Sequence, residues 1–285
     1  MASTIDNKQW TKIITARHRL LDLHLRDVWT YRDLIRQFIK RDFVVQYKQT
    51  ILGPLWYLIQ PLISSLMYIF IFGNLAGIGT DGIPSIMFYF GGTMLWTYFS
   101  SCLLGCSNVF LTNKDLFGKV YFPRLTVPIS LAAGHLIKLL IQFAFLVCLY
   151  LYFLISGVHI YPTWWFLLSP LLILWIGILG ISIGLIISSL TTKYRDLKLV
   201  VDFGIPLVMY VTPVVYPLSE APQKFFWLFY INPMSAPTEL FRMWFFGAGS
   251  VPLSMLLISL GSTLALAFIG LVLFTRNERN FVDVI

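Results

Sequence analysis

The sequence predicts an all-α integral membrane protein with six transmembrane helices, on three observations. Of 285 residues, 58% are hydrophobic, 16% aromatic and only 12% charged, with mean hydropathy +0.77. A soluble domain carries about 25% charged residues. Four stretches lack Asp, Glu, Lys and Arg altogether: 49–80, 82–113, 139–192 and 243–275. Lys and Arg are divided very unevenly between the flanks of these stretches. The same composition excludes a disordered chain, a collagen-like repeat and a disulfide-stapled secreted domain. Cys102, Cys106 and Cys148 fall inside apolar runs and are expected to be small buried hydrophobes.

A bilayer-crossing helix needs about 20 mainly apolar residues. The expected spans are 54–76, 85–111, 127–155, 164–190, 199–218 and 251–274. The third and fourth are divided at the turn-forming run SGVHIYP. Of 21 Lys and Arg residues, 18 lie in segments 1–54, 112–126, 191–198 and beyond Thr275, all on one side. Only Lys224 and Arg242 fall on the other side, and Lys138 lies within the third span. The positive-inside rule then puts both termini in the cytoplasm. The first thirty residues have no continuous apolar core, so the first span is expected to act as an uncleaved insertion signal.

The chain divides into a cytoplasmic segment 1–53, a transmembrane domain 54–274 and a tail 275–285. In the N-terminal segment Tyr31, Leu34, Ile35 and Phe38 repeat at helical spacing, with Arg32, Arg36, Lys40 and Arg41 opposite. Such a basic amphipathic helix either lies on the membrane surface or docks beside a pore. The loop 112–126 carries Lys114, Asp115 and Lys119 beside Leu116 and Phe117. It is either a plain connection or a short helix that seats in a partner. The segment 219–250 is too apolar for a solvated loop and is interrupted at Asn232-Pro233. Two short re-entrant helices or an interfacial aromatic belt with Trp227, Tyr230 and Trp244 both fit. Glu239 and Arg242, three apart, are spaced to pair on one helical face.

Catalytic signatures are missing. No GxxxxGK[ST] phosphate loop occurs, and the four histidines show no metal-site spacing. The outer-side acids are Asp81, Glu220 and Glu239, too few for a membrane glycosyltransferase or hydrolase. Lys138 is the one deep cation, with His135 and Gln142 on the same helical face. A charge there costs about 2.5–3.5 kcal/mol on insertion scales, so it faces a bundle interior or a wet cavity. That stripe either lines a polar route, together with aromatics such as Tyr57, Trp96 and Tyr98, or ties helices together through Asp202. The small-xxx-small pairs Gly180/Gly184 and Ser101/Gly105 read as helix-packing positions.

At the entrance to the first span the chain reads RDFVVQYKQTILGPLWYLIQPL. This run resembles the permease subunits of ABC exporters for lipid-linked bacterial polysaccharides, the O-antigen and teichoic-acid group. The matching residues are Arg41, Asp42, Tyr47, Lys48, Gln49, Thr50, Leu52, Gly53, Trp56, Pro61 and Leu62, followed by KVYFPRLTVP, TTKYRDLK and INPMSAPTELFR in the expected order. The resemblance implies a homodimer in the bacterial plasma (inner) membrane with two ABC ATPase subunits docked below. ATP and magnesium would be bound by that partner, leaving this chain without a cofactor, a metal, a catalytic residue or a nucleic-acid ligand. The loop residues Lys114, Asp115, Leu116, Phe117 and Lys119 would form the coupling helix, and the amphipathic helix would be the interface helix. Phe226, Trp227, Tyr230, Glu239 and Arg242 would belong to the outer gate. The cargo would be a polyprenyl-diphosphate-linked glycan, its diphosphate met by Arg41, Lys48 and Arg195 and its sugars passed along Tyr57, Trp96, Tyr98, His135, Lys138 and Gln142. A same-fold exporter of another amphiphile and a stand-alone secondary transporter are the competing expectations.

Overall fold

The computed structural model describes residues 25–48, 50–113, 122–158, 160–191, 194 and 196–280. Every regular element among them is helical. In chain order these are α1 (Leu25–Thr30), α2 (Arg32–Tyr47), α3 (Trp56–Tyr68), α4 (Ser85–Ser107), α5 (Val109–Thr112), α6 (Thr126–Ile155), α7 (Ser169–Thr191), α8 (Leu197–Val211), α9 (Phe226–Ile231), α10 (Ser235–Phe246) and α11 (Leu253–Asn280). The coupling-loop residues Lys114, Asp115, Leu116, Phe117 and Lys119 lie outside the described residues, as does Arg195.

Four helical stretches are long and apolar enough to cross a bilayer: Gly53–Leu75, Thr126–Ile155, Trp164–Thr191 and Leu253–Arg276. The chain is therefore an integral membrane protein. α4 has the length, at 23 residues, but its Tyr, Trp, Ser and Thr content holds it below the apolarity of those four. It runs through the core instead, with Phe88, Tyr89, Phe90, Met94 and Cys102 fully enclosed. α8 is 15 residues, shorter than the span expected at 199–218. Pro213 accounts for the early stop, because it lacks an N–H and pushes the preceding residue out of the helical region. Thr212 accordingly sits at φ −101°, ψ 142°. The last helix, by contrast, runs on past 274 to Asn280.

On α2 the stripe Tyr31, Leu34, Ile35 and Phe38 is turned toward protein, whereas Val44 and Val45 further along are exposed. Phe38 is buried and packs edge-on against Phe122 at 6.0 Å. Tyr31, Leu34 and Ile35 join the same cluster, which includes Val109, Phe110, Val127 and Phe274. Arg32, Arg36, Lys40 and Arg41 are exposed. Of the stripe only Phe38 is enclosed, and Tyr31, Leu34 and Ile35 are half-buried.

α4 and α7 pack backbone to backbone. A Cβ placed on Gly180 would sit 2.8 Å from the Phe99 carbonyl oxygen, and one on Gly184 would lie 2.6 Å from both the Cys106 Cβ and the Leu103 carbonyl oxygen. Only hydrogen fits at these two positions, as small-residue packing between membrane helices requires. Trp175 on α7 adds a hydrogen bond from its indole N–H to Thr263 Oγ1 on α11 at 2.9 Å.

Gly184→Leu is expected to lower the thermal unfolding midpoint of the detergent-purified chain, corresponding to a loss of about 1–3 kcal/mol or more from overpacking. Gly261→Leu, on α11 with nothing within 4 Å of the added carbon, should leave the midpoint near wild type. Equal midpoints for the two variants would contradict the α4–α7 contact.

Candidate functional site

Pro61 creates the first feature of the site. Lying inside α3, it has no N–H to donate to the Tyr57 carbonyl one turn earlier. The orphaned oxygen accepts a hydrogen bond from Gln142 Nε2 on α6 at 2.9 Å instead. The Tyr57 hydroxyl donates to Gln46 Oε1 on α2 at 3.2 Å, and its ring meets Tyr47 edge-on at 4.8 Å. Three helices thus converge on one tyrosine.

Beside it is a cavity of about 510 Å³ walled by α2, α3, α4 and α6. Five of the six conduit residues expected from sequence line it: Tyr57, Tyr98, His135, Lys138 and Gln142. The sixth, Trp96, does not. It is turned off that face of α4, buried, and packed on Phe99 at 5.2 Å between ring centroids. Gln46, Tyr47 and Thr50 contribute from the α2–α3 junction, and Thr93, Thr97, Ser100 and Ser101 from α4. Thr93, Thr97 and Ser100 escaped the sequence reading although, with Ser101, they recur at helical spacing, a stripe of hydroxyls on one face. Ser101 therefore faces the cavity rather than a helix seam, while its partner position Gly105 lies against His135, 3.2 Å from a built Cβ to Nε2.

Lys138 Nζ sits 4.9 Å from the Tyr57 ring centroid, a cation–π contact. No ion pair joins it to Asp202 among the described residues, and Asp202 is exposed, so the contact of Lys138 with another helix is the Tyr57 ring on α3 instead. On α2, the Arg41 guanidinium pairs with Asp42 at 2.8 Å and lies 4.9 Å from the Phe38 ring centroid. Lys48 is exposed at the end of the same helix. Burial pushes the Tyr47 phenol up to about 12, so it stays a neutral donor at any physiological pH.

A second polar centre lies at 214–242. Arg242 Nη1 donates to Glu239 Oε1 at 2.8 Å, and the side chains are only 3% and 1% exposed. Arg242 also donates to the carbonyls of Val214 (2.9 Å) and Tyr216 (3.3 Å), with its guanidinium carbon 3.8 Å from the Phe88 ring centroid. Glu239 Oε1 accepts the Leu218 N–H at 3.2 Å. Burial pushes the Glu239 carboxyl above the ordinary carboxylate range, and the guanidinium and the Leu218 N–H draw it back. The pair pins α10 to the non-helical segment after α8 and to α4. Phe226, Trp227 and Tyr230 lie on α9, the first of two short helices, with Trp227 exposed and Phe226 6.4 Å from Tyr230. Asn232 at the break donates to Thr212 Oγ1 at 2.7 Å and accepts the Met234 N–H at 3.0 Å.

Arg242→Leu strands a buried carboxylate and two backbone carbonyls, so it is expected to destabilise the purified chain by about 3–5 kcal/mol. Glu239→Gln, which keeps the side chain's shape and an acceptor, should cost less. Unfolding midpoints in detergent test the order, and an Arg242→Leu protein as stable as wild type would refute the pairing.

Residues 33–246 match the ABC-2 type transporter family. Two O-antigen export system permease proteins RfbA from Klebsiella pneumoniae are 27% and 26% identical to this chain over 255 residues, 89% of this chain and 95% of theirs. A namesake from Myxococcus xanthus is 27% identical over 198 residues, 68% of this chain and 72% of its own length. The matched region takes in α2, the cavity, and the buried Glu239–Arg242 centre, and on that span the chain belongs to the ABC-2 type transporter family.

Proposed function

We propose that the chain is the transmembrane subunit of an ATP-driven exporter that moves a polyprenyl-diphosphate-linked glycan of the O-antigen class out of the cytoplasm across the inner membrane. The observation that carries this reading is the match over 89% of the chain to permeases whose own names specify O-antigen export. The sequence has no phosphate loop, so in an ATP-driven exporter the ATPase is a separate chain.

Under this reading two copies form the translocation path, each with six crossings, α4 and α8 joining the four apolar spans. Both termini are cytoplasmic. Two ABC ATPase subunits, holding ATP and magnesium, seat the loop around 113–124 through Lys114, Asp115, Leu116, Phe117 and Lys119. α2 is the interface helix at that end. Arg41, Lys48 and Arg195 meet the diphosphate by charge-assisted hydrogen bonds as the cargo arrives. α9 and α10 form the outer gate, where the Glu239–Arg242 pair holds the gate helix in its closed packing. ATP-driven motion helps export only insofar as cargo binds the two conformations with different affinity.

Purification from native membranes in mild detergent should recover an ABC ATPase at one copy per copy of this chain. Deletion of the gene should leave lipid-linked glycan inside the cell. Recovery without any ATPase, after crosslinking in the membrane, would overturn the exporter reading. Substituting Gln for Arg41, Lys48 and Arg195 together should reduce surface glycan severalfold while the complex still assembles, and unchanged export would remove the diphosphate role from those residues.

A further inference from the structure

A second hollow, of about 190 Å³, lies between α6, α10 and the chain that enters α7, and shares no residue with the Tyr57 cavity. Its walls include Phe143, Val147 and Tyr150 on α6, Pro162 and Phe166 on the entering segment, and Phe245 on α10. A backbone clasp holds these walls together. The Thr163 N–H donates to the Trp244 carbonyl at 3.0 Å, and its hydroxyl donates to the Met243 carbonyl at 2.7 Å. Both carbonyls belong to the last turn of α10, where a helix leaves them without an internal partner. Gly247 follows at φ +70°, with the Tyr161 carbonyl oxygen where a Cβ would stand. Phe143 meets the Phe245 ring edge-on at 5.4 Å, and Phe166 lies 6.3 Å from it. The hollow is therefore built into the packing of α6 against α10.

Its chemistry is wholly apolar. The one polar side chain on the walls is Tyr150, and its hydroxyl donates to the Ile160 carbonyl at 3.2 Å. Apolar cavities of about 150 Å³ stay dry in proteins, so water does not fill this one. Depth decides what does. α6 has 30 residues, about 45 Å of helix against roughly 30 Å of hydrocarbon. Tyr150 and Phe143 lie about 8 and 18 Å of rise from its last residue, Ile155, at the acyl chains of one leaflet. Trp164 and Trp165, exposed where the next span begins, sit at the interface as aromatic belts do. Val147 and Phe166 are exposed at the rim, so the hollow opens sideways onto the lipid-facing surface.

We infer that the hollow takes an acyl chain of a membrane phospholipid from the leaflet away from α2. The opening is continuous with that hydrocarbon, and no Asp, Glu, Lys or Arg lines the hollow to select a headgroup. The lipid chain lies along Val147 and the Phe143, Phe166 and Phe245 rings, with its headgroup level with Trp164 and Trp165. This binding requires only that the protein is embedded in a bilayer. Under the exporter reading it also places lipid between α6 and the gate helix α10.

The test uses the full chain, with whatever partners co-purify, in phosphatidylcholine nanodiscs. The probe is a phosphatidylcholine with a diazirine in the middle of one acyl chain, and mass spectrometry after illumination locates the labelled residues. Val147, Phe166 and Phe245 should be labelled severalfold more than Leu260 and Leu264, which are exposed on α11 at comparable depth. Val147→Trp, which fills the hollow from its rim, should bring Phe166 and Phe245 down to the α11 level while α11 labelling stays unchanged. Val147→Phe fills less and should give an intermediate loss. Leu151→Trp, one turn along on exposed α6 and outside the hollow, should leave the pattern as in wild type. Labelling no higher than on α11, or unchanged in Val147→Trp, would overturn the inference. Loss of the label on adding undecaprenyl phosphate to the disc would also overturn it, giving the hollow to a polyprenyl chain. Benzoylphenylalanine introduced at Val147 that crosslinks two copies would overturn it in favour of a second copy. None of these outcomes depends on an ATPase or on export, so the exporter reading stands or falls by its own experiments.

Discussion

A carbonyl oxygen with no donor is among the most costly things to place inside a membrane protein, and this fold is organised around removing such oxygens. In hydrocarbon no water makes up the missing bond, and each unsatisfied backbone group costs several kcal/mol. Pro61 frees the Tyr57 carbonyl, and Gln142 answers it from α6. The chain leaves helical geometry after Val211, and Arg242 answers the carbonyls of Val214 and Tyr216. Asn232, at the break between α9 and α10, donates to the Val211 carbonyl at 3.4 Å and to the Thr212 hydroxyl at 2.7 Å. Each irregularity is thus tied to a side chain from another element, and these ties set where α3, α6 and α10 sit.

The same requirement separates structural polar groups from spare ones. Gln142 is occupied by the Tyr57 backbone, so although it lines the cavity its amide nitrogen is already committed. Glu239 and Arg242 are enclosed in their own network, with Phe88 over the guanidinium. A buried pair of this kind adds little net stability over an apolar equivalent, but losing one partner is costly. Its value is in fixing one arrangement of α10 against the 214–218 segment. Lys138, His135, Tyr47 and Thr93 differ because no backbone defect claims them. Their clustering at one hollow is what gives that hollow a chemical character.

Much of this was readable from sequence where a local rule applied. The apolar stripe Tyr31, Leu34, Ile35 and Phe38 gave the inward face of α2, and three-residue spacing gave the Glu239–Arg242 pair. Gly180 and Gly184 marked the α4–α7 seam. Lys138, His135 and Gln142 were placed together by helical periodicity, and the cavity has them together. What failed depended on partners distant in the chain. Gln142 and the Tyr57 carbonyl are 85 positions apart, and no periodicity links a proline on one helix to an amide on another. Trp96 was grouped with Tyr98 because both are aromatic, yet two residues along a helix turn a side chain by roughly 200°. The early end of α8 was legible in Thr212-Pro213, but the apolar run through it masked the stop.

The geometry around Tyr57 also limits how the first span can move. Its carbonyl is held by α6, its hydroxyl by α2, and its ring borders both Tyr47 and the Lys138 ammonium. A displacement of α3 relative to α6 therefore cannot leave the cavity unchanged. It either breaks the Gln142 bond, exposing an orphan carbonyl, or carries Gln142 and Lys138 with it. Anything bound in the cavity across this joint would meet two different arrangements of its walls, and unequal binding is the one physical route by which a ligand can bias a conformational equilibrium. On that argument the first span is linked to occupancy of the cavity by the defect that Pro61 introduces, with no need for a longer chain of contacts.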